Sequence, residues 1–279
     1  MKQFDLFFKV KYLINTIYLN HKITLIYIIF LIILSNNLKL VNAQTSNDQG
    51  EWLKIFDGKT LNGWEGDSTY WRVENEKIVG EVTEETLLER NSFLIWRSGS
   101  VADFELKVEY RISNLGNSGI NYRSEEVKGD PDAFIGGVPY ALKGYQADID
   151  GQNNFTGMNY EERGRSTIAP RGLKVLLPDI NENEKIDTYI EQNQWIKRIV
   201  QDTLEDSASL ISHIKEEWNE YHIVAVGNKL KHYVNGVLMS EVTDNDSKNR
   251  RLEGLLGVQV HVGPPMKIEY RNFRLKKLD

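Results

Sequence analysis

The feature that most constrains this chain is a strict alternation over residues 104–112. Phe104, Leu106, Val108, Tyr110 and Ile112 are apolar, while Glu105, Lys107, Glu109 and Arg111 between them are charged. Successive side chains of an extended strand point to opposite faces, so a period of two specifies a half-buried strand and is incompatible with a helix. The same texture recurs along the chain. Residues 71–73 and 78–80 flank Asn75-Glu76 as a hairpin. Residues 221–226 and 229–234 form a second pair, and Asn235-Gly236 supplies a type I′ turn into residues 237–242. Residues 255–262 and 266–275 close the chain around Gly263-Pro264-Pro265. Helical spacing is confined to Leu204, Ala208, Ile211 and Ile214, with acidic residues before them and Lys215 after, which predicts one short helix. The polar stretch 178–194 reads as a surface excursion. Many short strands with so little helix predict an all-β, two-sheet sandwich and exclude a doubly wound α/β fold, which needs helices between its strands.

The N-terminal 43 residues differ in character. Lys2, Lys9, Lys11 and Lys22 precede a twelve-residue run, residues 23–34, broken only by Thr24 and Tyr27; Val41-Asn42-Ala43 then offers a small-x-small cleavage site. This is the form of a secretory signal, and the run falls short of the ~20 apolar residues of a membrane span. The expected division is a signal peptide at 1–43, a polar leader at 44–50 and one domain at 51–279, in the periplasm or outside the cell. An uncleaved anchor is the rival reading. The sequence has no cysteine, which excludes lipoprotein acylation, disulfides and thiolate zinc sites. The net charge is −6; without the five lysines and one aspartate of 1–43 there remain 29 basic and 39 acidic side chains, a charge of −10. Such a surface repels polyanions and excludes sequence-independent nucleic-acid binding.

Several phrases then fall in order: residues 52–64 (WLKIFDGKTLNGW), 71–75 (WRVEN), 104–111, 117–123 (NSGINYR), 144–150 (GYQADID), Trp218-Asn219, the Asn235-Gly236 hairpin, 257–261 (GVQVH) and 271–275 (RNFRL). The ordered set resembles the 3-keto-disaccharide hydrolase family over roughly residues 51–278. The resemblance implies a concanavalin A-like jelly roll of the lectin/glucanase type, with a concave face toward carbohydrate. It also implies action on 3-keto-glycosides, by members described as hydrolases or as a 1,2-lyase paired with a 2-hydroxy-glucal hydratase.

Strand parity maps the site. Ile120 and Tyr122 oppose Asn121 and Arg123; Tyr145, Ala147 and Ile149 oppose Gln146 and Asp148; Val258, Val260 and Val262 oppose Gln259 and His261. If the apolar faces share the core, the six polar residues line the concave face. That these strands are neighbours is implied by the family fold alone. Each doublet has a plainer reading, since half-buried strands carry polar outer faces by default. Arg123 has a rival role as a surface ion pair with Glu109 or Glu125, and Asp148 one as the start of a turn. Arg163 and Arg165, around Gly164, offer planar donors to an oxygen-rich substrate. Glu109 is a further substrate-binding candidate. The Asp148, Asp150, Asn153 and Asn154 group suggests calcium, without the EF-hand spacing.

The chemistry implied by the resemblance needs few groups. A ketone at C3 acidifies the C2 proton, so a base can form an enolate that expels the C1 substituent; water then adds back, giving net hydrolysis. His261 or Asp148 is the candidate base. Arg123, or a bound divalent cation, is the candidate for the enolate oxygen. The partner is an oligosaccharide or other glycoside, with no nucleic acid and no membrane anchor once the signal is removed. Two alternatives stay open: a non-catalytic carbohydrate-binding module, and a conventional two-carboxylate glycosidase using acids such as Glu109 and Asp148.

Overall fold

The structure, a computed structural model, describes residues 50–127, 139–179 and 198–278. The signal peptide expected at 1–43, residues 44–49 of the polar leader, and all of the 178–194 excursion beyond Asp179 lie outside the described residues. Among the described residues no helix is long and apolar enough to cross a membrane.

In chain order the first strands are β1 (Leu53–Lys54), β2 (Trp64–Glu65), β3 (Trp71–Glu74), β4 (Lys77–Val82), β5 (Ser92–Val101), β6 (Phe104–Ile112), β7 (Asn117–Glu126) and β8 (Leu142–Asp150). They are followed by β9 (Asn159–Glu162), β10 (Ser166–Ala169), β11 (Leu173–Leu177), β12 (Ile199–Thr203), β13 (Asn219–Val226), β14 (Lys229–Val234), β15 (Val237–Asp244), β16 (Gly254–Val260) and β17 (Met266–Lys277). They form two sheets. One has the order β12-β11-β15-β14-β13-β6-β17-β4-β3, with β1 also on β17; the other has the order β10-β9-β8-β7-β16-β5-β2. Neighbours are antiparallel except β11 and β15, which run parallel. This is the all-β two-sheet sandwich that the alternation predicts and the jelly-roll architecture that the resemblance implies.

Local chemistry explains the elements. In β6 the apolar positions Phe104, Leu106, Val108 and Tyr110 are at most 1% exposed and face the second sheet, while the charged positions face solvent. The β3–β4 turn places Asn75 and Glu76 at φ 50° and 61°, and the β14–β15 turn places Asn235 and Gly236 at 51° and 82°, both matching the twist of their strands. The single helix among the described residues, α1 (Ser207–Ile211), starts at Asp206, whose carboxylate accepts from the amides of Ala208 and Ser209. It is shorter than the spacing suggests. Leu204 lies before it, donating its amide to Gly172, and the residue it buries is Leu210.

The core between the sheets is not wholly apolar. Tyr122 and His232 meet there at 2.8 Å, and His232 Nδ1 donates to the Met158 carbonyl at 3.1 Å. Burial lowers the His232 pKa to about 3, so the imidazole is neutral and its Nε2 accepts. Nearby, Arg165 is fully buried and spends its guanidinium on three carboxylates: Glu161 at 2.7 Å, Asp244 at 2.6 Å and Asp246 at 3.1 Å. The Tyr145 hydroxyl donates to Asp244 at 2.6 Å. Arg165, expected at the substrate, is therefore an internal counter-ion. A buried guanidinium needs carboxylate partners, and these lie between the layers.

Candidate active site

The outer face of the seven-stranded sheet carries a cavity of about 720 Å³. The strands named by parity are consecutive there, in the order β8-β7-β16. Ile120, Tyr122, Tyr145, Ala147, Val258 and Val260 belong to the core between the sheets. The opposite parity faces outward, and Gln146, Asp148 and His261 line the cavity, with Arg163 beside them.

Beneath the cavity a chain of amides links two acids. Gln259 Nε2 donates to Glu162 Oε2 at 3.1 Å and to Gln146 Oε1 at 3.2 Å, and Gln146 Nε2 donates to Asp148 Oδ1 at 2.7 Å. Glu162 also accepts from Asn91 Nδ2 at 3.2 Å and lies 3.8 Å from Arg163. The two carboxyls differ in their support. Glu162 has donors on both oxygens and a cation beside it; burial still raises its pKa, against the help of Arg163, Asn91 and Gln259. Asp148 is 8% exposed. Burial, and then the charges of Glu162 and Asp150, push its pKa well above the ordinary range, against the single opposing Gln146 bond. His261 follows the end of β16. Its Nδ1 meets the Val262 carbonyl, which can only accept, so Nδ1 carries the proton and Nε2 presents a lone pair. Burial lowers its pKa, which keeps the ring neutral.

Gly119 explains how Gln146 reaches its partners. It pairs with Asp148 across β7–β8, and a Cβ there would stand 2.6 Å from Gln146 Cδ and 2.7 Å from its Nε2. The missing side chain is the space that Gln146 occupies. We expect Gly119→Ala to displace the Gln146 amide and remove the donor that holds the Asp148 pKa down. The Asp148 carboxyl should then titrate at higher pH, with a stability cost of about 2 kcal/mol for the two hydrogen bonds lost. A carboxyl titration followed by NMR and a melting curve check this, and an unmoved titration counts against the role of Gln146.

The other expected site residues lie elsewhere. Arg123 does not join the cavity. The β7–β8 register breaks between Tyr122 and Glu125, Arg123 adopts φ 46°, and its alternation is lost. Its fully buried side chain donates to Ala102 O at 2.8 Å, Gly227 O at 2.6 Å and Asp103 Oδ1 at 2.9 Å, tying two turns together. Glu109 lies on β6 in the other sheet, facing outward and paired with Arg271 at 2.7 Å, so it cannot face Asp148 across a groove. Asn121 has the right parity but is fully buried, with neither amide atom hydrogen-bonded. Gln259 is fully buried too and supports the lining from below. The calcium suggestion does not fit the donors. Asp150 Oδ1 accepts from the amides of Phe155 and Thr156, and among the described residues no group of three or more His, Asp or Glu side chains could hold a metal ion.

Residues for which sequence reasoning found no role complete the wall: Glu162 and Tyr160 on β9, within the candidate segment of Arg163 and Arg165, Asn91 and Arg90 before β5, and Phe155 in the β8–β9 loop. For two of them a signal existed. Tyr160 and Glu162 alternate with Asn159 and Glu161, so parity applied to β9 would have placed them. Asn91 and Arg90 come from a loop, where no period exists.

Comparison with known proteins then places the chain. A family model described as a 3-keto-alpha-glucoside-1,2-lyase-like domain matches residues 51–276. The chain is similar to a curated 3-keto-disaccharide hydrolase of Bacteroides thetaiotaomicron, 25% identical over 253 residues, covering 85% of this chain and 82% of that relative. Among solved structures, a galectin-like protein of unknown function from Bacillus subtilis superposes with a TM-score of 0.50 at 10% identity, over 82% of this chain and 97% of that one. A β-glucanase of Bacillus licheniformis superposes with a TM-score of 0.41 at 10% identity, over 84% and 100%.

Proposed function

The chain belongs to the 3-keto-alpha-glucoside-1,2-lyase-like family, and on that premise we propose that the cavity cleaves 3-keto-glycosides by removing the C2 proton and eliminating the C1 substituent, with water then added to give net hydrolysis. The observation that carries this reading is the pairing, in one cavity, of a neutral imidazole with a carboxyl whose pKa is strongly raised. An elimination needs a base at C2 and an acid at the leaving oxygen, and a base whose pKa is lowered beside an acid whose pKa is raised serves it. In this reading His261 Nε2 takes the C2 proton, Asp148 protonates the departing oxygen, and Arg163 faces the ketone oxygen where enolate charge develops. Arg163 takes the part expected of Arg123. Hydration runs the same two proton transfers in reverse.

The test is turnover of paired glucosides, native and 3-keto, in D₂O. The expected result is cleavage of the 3-keto form only, with deuterium at C2 of the product, because water returns a solvent-derived proton to that carbon. Cleavage that leaves C2 fully protonated would sink the elimination. One observation favours a second reading: Asp148 and Glu162 both line the cavity, as a two-carboxylate glycosidase requires. Cleavage of native glucosides at a similar rate is the result that reading expects.

A further inference from the structure

The cavity has a polar floor and, at one point of its rim, an aromatic ring left open. Phe155 is 46% exposed, although the loop that carries it is tied by several hydrogen bonds. Its amide donates to Asp150 Oδ1 at 2.7 Å, and the next amide, that of Thr156, donates to the same oxygen at 3.2 Å. Its own carbonyl accepts from the Met158 amide at 2.9 Å, and the Thr156 carbonyl accepts from Arg171, a side chain 4% exposed. Thr156 Oγ1 bonds back to the Asp150 carbonyl at 3.0 Å. A loop that floats can turn its aromatic inward; this one holds its backbone on both sides of Phe155 and presents the ring to water. Val262, also lining the cavity, repeats the arrangement: it is 37% exposed, with its amide held by Asn91 Oδ1 at 2.9 Å. Exposed apolar side chains whose backbone is held by hydrogen bonds forgo burial in the free protein and gain it when a ligand covers them.

We infer that Phe155 is a platform for the leaving-group side of the substrate, and that it selects glycosides whose leaving group presents a flat ring face, a second sugar or an aryl group, over those with a small alkyl group. The inference rests on the reading of the cavity as a 3-keto-glycoside site, because the hydrogen-bonding floor of Gln146, Asp148, Glu162 and Arg163 is the part that suits the reacting sugar. The apolar rim is then left for what the sugar carries. A ring stacked on an aromatic face contributes without directional hydrogen bonds, so such a platform sets affinity and leaves the chemical step alone.

The test uses the whole protein, with Phe155→Ala and the conservative Phe155→Trp. The probes are methyl α-glucoside, 4-nitrophenyl α-glucoside and maltose, each native for calorimetric binding and as its 3-keto form for turnover. Wild type and Phe155→Trp should bind the ring-bearing probes about tenfold more tightly than the methyl glucoside. Phe155→Ala should abolish that preference, raising KM for the ring-bearing 3-keto forms and leaving kcat and the melting temperature unchanged. Whether the nitrophenyl or the maltose arm shows the larger preference tells an aryl from a sugar leaving group; either supports the platform. Equal affinity of wild type for all three probes, or an equal loss for all three in Phe155→Ala, overturns it. A preference in native binding that Phe155→Ala removes, without turnover of any 3-keto form, leaves the platform standing and fails the proposed reaction instead.

Discussion

Arg165→Met should cost about 3–5 kcal/mol of folding free energy, because it strands Glu161, Asp244 and Asp246 in the interior without their shared cation. Asp244 and Asp246 are each at most 1% exposed and Glu161 is 3% exposed. The Tyr145 hydroxyl, the Asn249 side chain and the Asp246 amide donate to the two aspartates, but none of them carries charge. With total stability of roughly 5–15 kcal/mol for a domain of this kind, the loss should lower the melting temperature by about 10 °C or prevent accumulation of folded protein. Urea unfolding of wild type and variant measures it. A second variant separates lost packing from stranded charge. Arg165→Met combined with Glu161→Gln and Asp244→Asn removes two of the three charges and should recover much of the loss. A cost below ~1 kcal/mol for Arg165→Met alone would show that the cluster is not buried as described.

The largest effect on activity should come from His261→Gln and Asp148→Asn, each expected to lower kcat/KM by about 10²–10⁴-fold, the usual worth of a positioned general base or acid. The pH profile carries the assignment. His261 must be neutral to accept the proton, and burial lowers its pKa below the ordinary imidazole value of 6.5, so activity should rise with pH through an inflection below that value. Asp148 must be protonated to act as acid, and its pKa lies well above 3.8, so activity should fall as pH climbs through it. His261→Gln should lose the acidic limb and Asp148→Asn the alkaline limb. Stability moves the same way for Asp148. A carboxyl whose folded pKa is raised contributes least when ionised, so stability falls as pH rises through that pKa. Above that pKa Asp148→Asn should therefore melt no lower than wild type, and its loss of activity is then not a loss of fold. Residual activity within tenfold of wild type for both variants would remove these residues from the chemistry.

The sequence by itself determined the strands and, for most of them, their faces. The alternation in 104–112 and the polar doublets at Gln146/Asp148 and Gln259/His261 are local consequences of a two-residue repeat, and a repeat is legible wherever the backbone stays extended. It also carried the family, through phrases spread over the whole domain. What it could not carry was any departure from regular extension. Arg123 continues the written alternation, yet a bulge turns it out of the sheet's outer face, and only the β7–β8 and β7–β16 registers decide where that bulge falls. Arg165 reads as a loop arginine because its partners Asp244 and Asp246 are about 80 residues away in the chain. Glu109 has clean outward parity, but parity does not say which of two sheets a strand joins. The tertiary structure decided the strand order β8-β7-β16, which brought the Gln146/Asp148 and Gln259/His261 doublets to one cavity, and it decided burial, which raises the Asp148 pKa well above the ordinary carboxyl range while Glu162 keeps Arg163, Asn91 and Gln259 beside it. Both follow from contacts between distant segments, and no local pattern encodes the partner at the far end of such a contact.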